Sequence, residues 1–151
     1  MQDGEFERRM RAALAIIAAA SIVTSGAQFV TERMLWALGQ IETGANGSRQ
    51  QAADRAVGAA GEVSRYQIQT NLLTPAERKR SADPTAMKTA ARRILEKRVA
   101  LYVSRHGKEP NLVGIYEIWN SPARPLGWKP GPTPPAIFER AQRFANLAEM
   151  P

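Results

Sequence analysis

A chain of 151 residues has the length of one domain with a modest core. It contains no cysteine and a single histidine, His106, which excludes a disulfide framework, a cysteine nucleophile and any multi-histidine metal site. The formal net charge of +7 draws it to polyanions, among them nucleic acid, anionic lipid and acidic cell-wall polymers, without choosing between them.

Residues 1–27 read as a signal peptide or N-terminal membrane anchor. Arg8, Arg9 and Arg11 precede an uncharged run from Ala12 to Val23, and Ser25 and Ala27 stand at −3 and −1 of a cleavage site before Gln28. The run is shorter than the ~20 residues that span a bilayer, and Asp3, Glu5 and Glu7 are unusual ahead of it. An exported protein of the periplasm, cell envelope or extracellular space is expected, with residues 28–151 as its domain.

That domain reads as helices joined by polar, glycine-rich or proline-rich loops. The first helix is expected from about Val30 to Glu42. Leu35, Leu38 and Glu42 share one stripe of it, and Gly44, Asn46 and Gly47 end it. A short helical piece follows over Gln50–Val57. Gly58 and Gly61 then bring in a loop or small hairpin around Glu62–Ile68, where Ser64, Tyr66 and Ile68 alternate with Arg65 and Gln67 as in an extended strand. The clearest helix runs from Pro84 to His106, capped by Asp83 and stopped by Gly107. Another covers Asn111 to Trp119 and ends at Asn120-Ser121-Pro122. A proline- and glycine-dense loop leads to a last helix over Pro135–Glu149.

Among these residues Glu42 has the position of a general acid. Its stripe points it at the junction of core and surface, where desolvation favours the protonated carboxyl. It lies at the negative end of its helix, which also disfavours a carboxylate. A proton retained near neutral pH is what general acid catalysis requires.

Three segments carry a resemblance. Glu42-Thr43-Gly44-Ala45-Asn46-Gly47 is similar to the Glu-Ser-Gly-x-Asn-Pro segment of soluble lytic transglycosylases, in the lysozyme-like superfamily. Val57-Gly58-Ala59-Ala60-Gly61, leading to Tyr66-Gln67-Ile68, resembles their Gly-x-x-Gly-Leu-Met-Gln-Ile stretch with residues inserted. Trp119-Asn120-Ser121-Pro122 resembles their Tyr-Asn-Ala-Gly at a helix end. The three occur in family order and span most of the chain beyond residue 28. In this chain Tyr66 stands for a methionine and Trp119 for a tyrosine. Phe138 lacks the hydroxyl that a family tyrosine places near the glutamate, and Glu62 and Arg65 are inserted charges.

The resemblance implies a mainly α, lysozyme-like α+β fold: one helical domain with a small loop or hairpin element flanking a cleft. It implies cleavage of the β-1,4 bond between N-acetylmuramic acid and N-acetylglucosamine in peptidoglycan. Glu42 is the single catalytic acid and base, without metal or cofactor. Substrate contacts are expected from Ser64, Tyr66, Gln67, Tyr116, Trp119 and Asn120. Glu62 is the candidate for a second carboxylate, and Arg49, Arg55 and Arg65 for partners of substrate carboxylates. Whether the product is an anhydro sugar or a hydrolysed one stays open. The expected partner is the glycan strand, bound by a monomer, with no nucleic acid and no membrane beyond an uncleaved N-terminus. Two other readings compete. One is an inactive lysozyme-like module that binds or scaffolds the wall. The other is a cytoplasmic nucleic-acid-binding protein using Arg92, Arg93, Lys97 and Arg98.

Overall fold

The computed structural model describes residues 29–150, so the signal or anchor expected at 1–27 lies outside the described residues. The described chain is mainly helical. Its α-helices are α1 (Glu32–Thr43), α2 (Gln50–Asp54), α3 (Pro75–Lys79), α4 (Pro84–His106), α5 (Leu112–Asn120) and α6 (Pro135–Glu149). No described helix is long and apolar enough to cross a membrane.

Local chemistry sets the ends of these helices. Thr31 caps α1 by accepting from the Met34 N–H at 3.1 Å. Gly44 closes it in the left-handed region at φ 64°, with its N–H on the Gln40 carbonyl at 2.9 Å. Asp83 caps α4 through the N–H groups of Thr85 and Ala86, Pro84 fills its first position, and Gly107 ends it at φ 67°. Asn111 caps α5 on the Gly114 N–H at 2.8 Å. The short α3 has no counterpart among the expected elements. Its Thr74 and Glu77 form a reciprocal capping box.

The core is one cluster. Leu35 and Leu38 of α1, Met87 and Leu95 of α4, Ile115 and Ile118 of α5, and Phe144 of α6 are all fully buried in it. Each such side chain contributes about 1.5–3 kcal/mol of transfer free energy. Helix α6 packs most extensively on α5 and then on α1, and α4 lies against α5. The C-terminal ends of α1 and α5 thus meet beside α6, and the site forms there.

The strand expected around Glu62–Ile68 is absent. Two isolated antiparallel bridges, Val57 to Val63 and Val63 to Ile68, are all the β pairing among the described residues, so the β part of the expected α+β fold is not seen there. Val63 and Ile68 exchange both backbone hydrogen bonds at 2.9 Å around a tight turn. Ser64 at φ 66° and Gln67 at φ 49° take left-handed backbone in that turn. A chain that reverses within four residues leaves no room for a strand. The alternation seen in sequence is real in burial, since Ser64, Tyr66 and Ile68 point inward, but a turn produces it. The helical piece expected to reach Val57 stops at Asp54.

Candidate active site

Glu42 occupies the last turn of α1, one turn beyond the buried Leu38. Its carboxylate Oε1 accepts the Tyr116 hydroxyl proton at 2.8 Å and lies 3.4 Å from the donating Asn120 side-chain amide. Both partners project from the C-terminal half of α5. Burial raises the Glu42 carboxyl above its ordinary value of 4.5, and this outweighs the opposing hydrogen bonds from Tyr116 and Asn120 and the charge of Arg140. The negative charge of Glu62 raises it further. The Tyr116 hydroxyl is itself held neutral, by burial first and by Glu42 second.

A cleft of about 400 Å³ opens over this carboxyl. One wall holds Trp119 and Asn120 at the end of α5. The other is the loop carrying Ala60, Glu62 and Gln67. Glu42, the loop residues Ala59, Ala60, Glu62, Gln67 and Ile68, and the α5-end residues Trp119, Asn120 and Pro122, distant in sequence, therefore line one groove.

Each wall is held from behind. Arg98 of α4 donates to the Trp119 carbonyl at 2.7 Å, and its guanidinium lies 5.8 Å from the Trp119 ring centroid. A cation at the carbonyl end of a helix satisfies both its free acceptors and its dipole. The opposite loop is pinned by Thr43, which donates to the Arg65 carbonyl at 3.2 Å, and by a two-bond ion pair of Arg65 with Asp54 at 2.5 and 2.8 Å. Gln67 donates to the Ser64 carbonyl at 3.0 Å, and the Glu62 carboxylate accepts from the Ala60 N–H at 3.1 Å.

Gly58 makes room for these two side chains. A Cβ at this position would lie 2.3 Å from a Glu62 carboxylate oxygen and 2.5 Å from the Gln67 amide oxygen. Gly58→Ala is expected to push both side chains out of register. If the cleft is an active site, that displacement costs up to about 10²-fold in kcat/KM, the scale of a misplacement of roughly an ångström. The melting temperature should change little, because flexible side-chain ends do the yielding. Steady-state kinetics beside thermal unfolding checks this.

Several expected contacts are corrected. Ser64 and Tyr66 are buried at 2% and 4% exposure and do not line the cleft. Ser64 Oγ accepts from the Tyr66 N–H at 3.3 Å, and burial pushes the Tyr66 hydroxyl up to about 12. These two residues shape the loop that presents Gln67. Tyr116 is fully buried and does not form a wall; it holds Glu42. Arg65 is committed to Asp54, while Arg49 and Arg55 are exposed and outside the cleft lining. Phe138 is exposed and does not line the cleft, and the hydroxyl on Glu42 is that of Tyr116 of α5. His106 sits against Tyr102 and the Pro125 carbonyl.

Three of the four residues of the basic face expected on α4 contact other parts of the chain, and the fourth, Lys97, is exposed. Arg92 contacts Glu32 and the Val30 carbonyl, Arg93 pairs with Glu77, and Arg98 is turned to α5. The cleft also holds Gln69, Leu72 and Arg140, which the sequence reading does not single out, and Arg98, which it places on a basic face for nucleic acid. Arg140 carries a weak sequence signal: it stands four residues before the core residue Phe144, on the helix face that meets α5. Among the described residues, no group of three or more His, Asp or Glu side chains is placed to hold a metal ion.

The chain matches no protein-family model, and neither a curated protein nor a solved structure is significantly similar to it.

Proposed function

We propose that this protein is an exported enzyme that cleaves peptidoglycan glycan strands between N-acetylmuramic acid and N-acetylglucosamine, with Glu42 as general acid and then general base. The observation that carries the reading is the half-buried Glu42 carboxyl, whose pKa burial raises, in an open groove that Gln67, Asn120, Glu62 and Arg140 also line. The order and spacing of the segments around that groove, which resemble those of soluble lytic transglycosylases, supply the substrate class.

The chemistry follows from the geometry. A glycan strand lies in the groove with a glycosidic oxygen over Glu42. Glu42 donates its proton to that oxygen as the bond to the anomeric carbon breaks, and the substrate's N-acetyl carbonyl stabilises the developing cation. Glu42 is now a carboxylate, held by Tyr116 and Asn120. It takes a proton from the sugar's 6-hydroxyl, which closes an anhydro ring, or from a water. One protein carboxylate suffices for the first outcome. The second follows the inverting two-carboxylate scheme where Glu62, in place of Glu42, takes the proton of the attacking water. The amides of Gln67 and Asn120 offer donors and acceptors suited to acetamido and hydroxyl groups, and Trp119 offers an apolar edge at the wall.

The test is soluble-product release from purified sacculi by the wild-type protein and by Glu62→Gln. If Glu62 directs water, the variant loses hydrolysed ends and keeps or gains anhydro ends. Product ratios unchanged in Glu62→Gln would remove Glu62 from the mechanism. Sedimentation with sacculi without product release would favour the inactive wall-binding module.

A further inference from the structure

We propose that Arg98 forms a carboxylate subsite of the cleft, its Nε–Nη2 edge receiving a carboxylate carried by the glycan strand. The nature of the strand rests on the reading above; the open guanidinium edge does not.

Arg98 projects from α4 and lines the cleft together with Glu42, Gln67, Trp119 and Asn120. One of its three nitrogens is spent on α5. Nη1 donates to the Trp119 carbonyl at 2.7 Å and to the Ile118 carbonyl at 3.4 Å. Nε and Nη2 donate to no group of the described residues. Neither is sealed in the interior, because Arg124 Nε is the one buried side-chain polar atom among the described residues that lacks a partner. The unused edge therefore reaches solvent, and the cleft is the solvent space that Arg98 lines.

The same edge binds carboxylates elsewhere in the chain. Arg65 holds Asp54 through Nε and Nη2 at 2.5 and 2.8 Å, and Arg93 holds Glu77 through the same pair at 3.1 and 2.7 Å. Two parallel N–H groups match the two oxygens of a carboxylate. Arg98 presents this fork with no carboxylate of the chain in it. Glu42 is bonded to Tyr116 and Asn120, and Glu62 to the Ala60 N–H. Burial acts on the guanidinium with no acidic group to offset it, yet a guanidinium keeps its proton. A half-buried cation without a counter-charge attracts an anion more strongly than an exposed one, because less water screens it. A glycan strand supplies carboxylates from two sources. The lactyl group of muramic acid ends in one when its peptide has been removed, and the stem peptide carries others when it is present.

The experiment uses the full chain as wild type, Arg98→Gln and Arg98→Lys, each checked by thermal unfolding. The Arg98 Nε–H resonance is followed by ¹⁵N NMR and assigned by its loss in Arg98→Gln. N-acetylmuramic acid, its lactyl methylamide and N-acetylmuramoyl-L-alanyl-D-isoglutamine are titrated in turn. A shift with the free acid and none with the methylamide assigns the lactyl carboxylate. A shift with the muramoyl dipeptide, whose lactyl carboxyl is blocked, assigns the stem peptide. No shift with either acid, or an equal shift with the methylamide, overturns the proposal. Kinetics on sacculi are measured beside it, before and after their carboxylates are coupled to methylamine. Coupling is expected to raise the wild-type KM about tenfold, the scale of one charged hydrogen-bonded contact, and to change kcat less. It should add little in Arg98→Gln, whose KM is already raised. Independent, multiplying effects of coupling and substitution would mean that Arg98 only holds the end of α5, and would overturn the proposal. Arg98→Lys keeps a cation at the α5 carbonyls without the fork, so it should melt near wild type and lose most of the preference. It carries the same comparison if Arg98→Gln does not fold. Absence of cleavage by the wild-type protein counts against the glycan reading alone, since the NMR titration still decides the subsite.

Discussion

Glu42→Gln is expected to abolish glycan cleavage while leaving the fold as stable as before, or more stable, at neutral pH. The amide matches the carboxyl in shape and still accepts from Tyr116 and Asn120, so the hydrogen bonds at this position survive. The transferable proton does not. Loss of a positioned general acid lowers turnover by about 10²–10⁴-fold. The effect on stability follows from burial, which raises the Glu42 carboxyl in the folded state. The folded chain therefore binds this proton more tightly than the unfolded chain. The stabilisation this gives is complete below the unfolded pKa and is lost as pH rises through the higher folded value. Above that window the buried carboxylate is a cost, which the neutral amide avoids. Melting temperatures of the two proteins should coincide in acid and separate as the pH rises past 4.5, with the variant higher. A variant that melts lower at neutral pH would show that the carboxylate is stabilised in its niche, contrary to the role given to it.

Asp54→Ala should destabilise the fold strongly. Asp54 and Arg65 are mostly buried, with side chains 11% and 15% exposed, and they share two hydrogen bonds. Removing the carboxylate strands a guanidinium whose aliphatic stem is wedged beside Gly39 in α1. Stranding a buried charge costs about 3–5 kcal/mol, and the residual exposure of this pair brings the expectation to about 2–4 kcal/mol. For a domain of this size that lowers the melting temperature by roughly 5–15 °C. Activity should fall too, because Arg65 anchors the turn that presents Gln67. Asp54→Leu with Arg65→Met should recover most of the melting temperature, since an apolar pair of similar volume carries no stranded charge. Calorimetry on the single and double variants checks both statements. A single variant that melts within about 2 °C of wild type would mean that the ion pair does not hold the loop.

What the sequence discloses here depends on the range of the interaction concerned. Helix α4 is legible because its signals are local: Asp83 and Pro84 at the start, Gly107 at the end. Helix α3 announces itself equally locally through Thr74 and Glu77, yet its apolar content is too low for periodicity to reveal it. Glu42 is legible because its stripe and its helix end both act within one element. Tyr116 is different. Its hydroxyl reaches Glu42 across 74 residues of chain, and its own helix shows only an aromatic on an apolar face. The place of Arg140 in the cleft depends on the packing of α6 against α5, which no local pattern encodes. At Ser64–Gln67 the alternation of inward and outward residues is genuine, but a tight turn and a strand produce the same alternation over so few residues. The two left-handed residues there are a serine and a glutamine rather than glycines, so nothing in the sequence marks the reversal.

In the function proposed above, a half-buried Glu42 acts as the acid that cuts a glycan strand lying in the groove over it. Mass spectrometry of the soluble material released from purified peptidoglycan sacculi is its most direct test. The account predicts disaccharide-peptides with anhydro or reducing muramic ends from the wild-type protein, and none from Glu42→Gln at equal concentration. Release of the same fragments by Glu42→Gln, or no fragments from a folded wild-type protein, would contradict it.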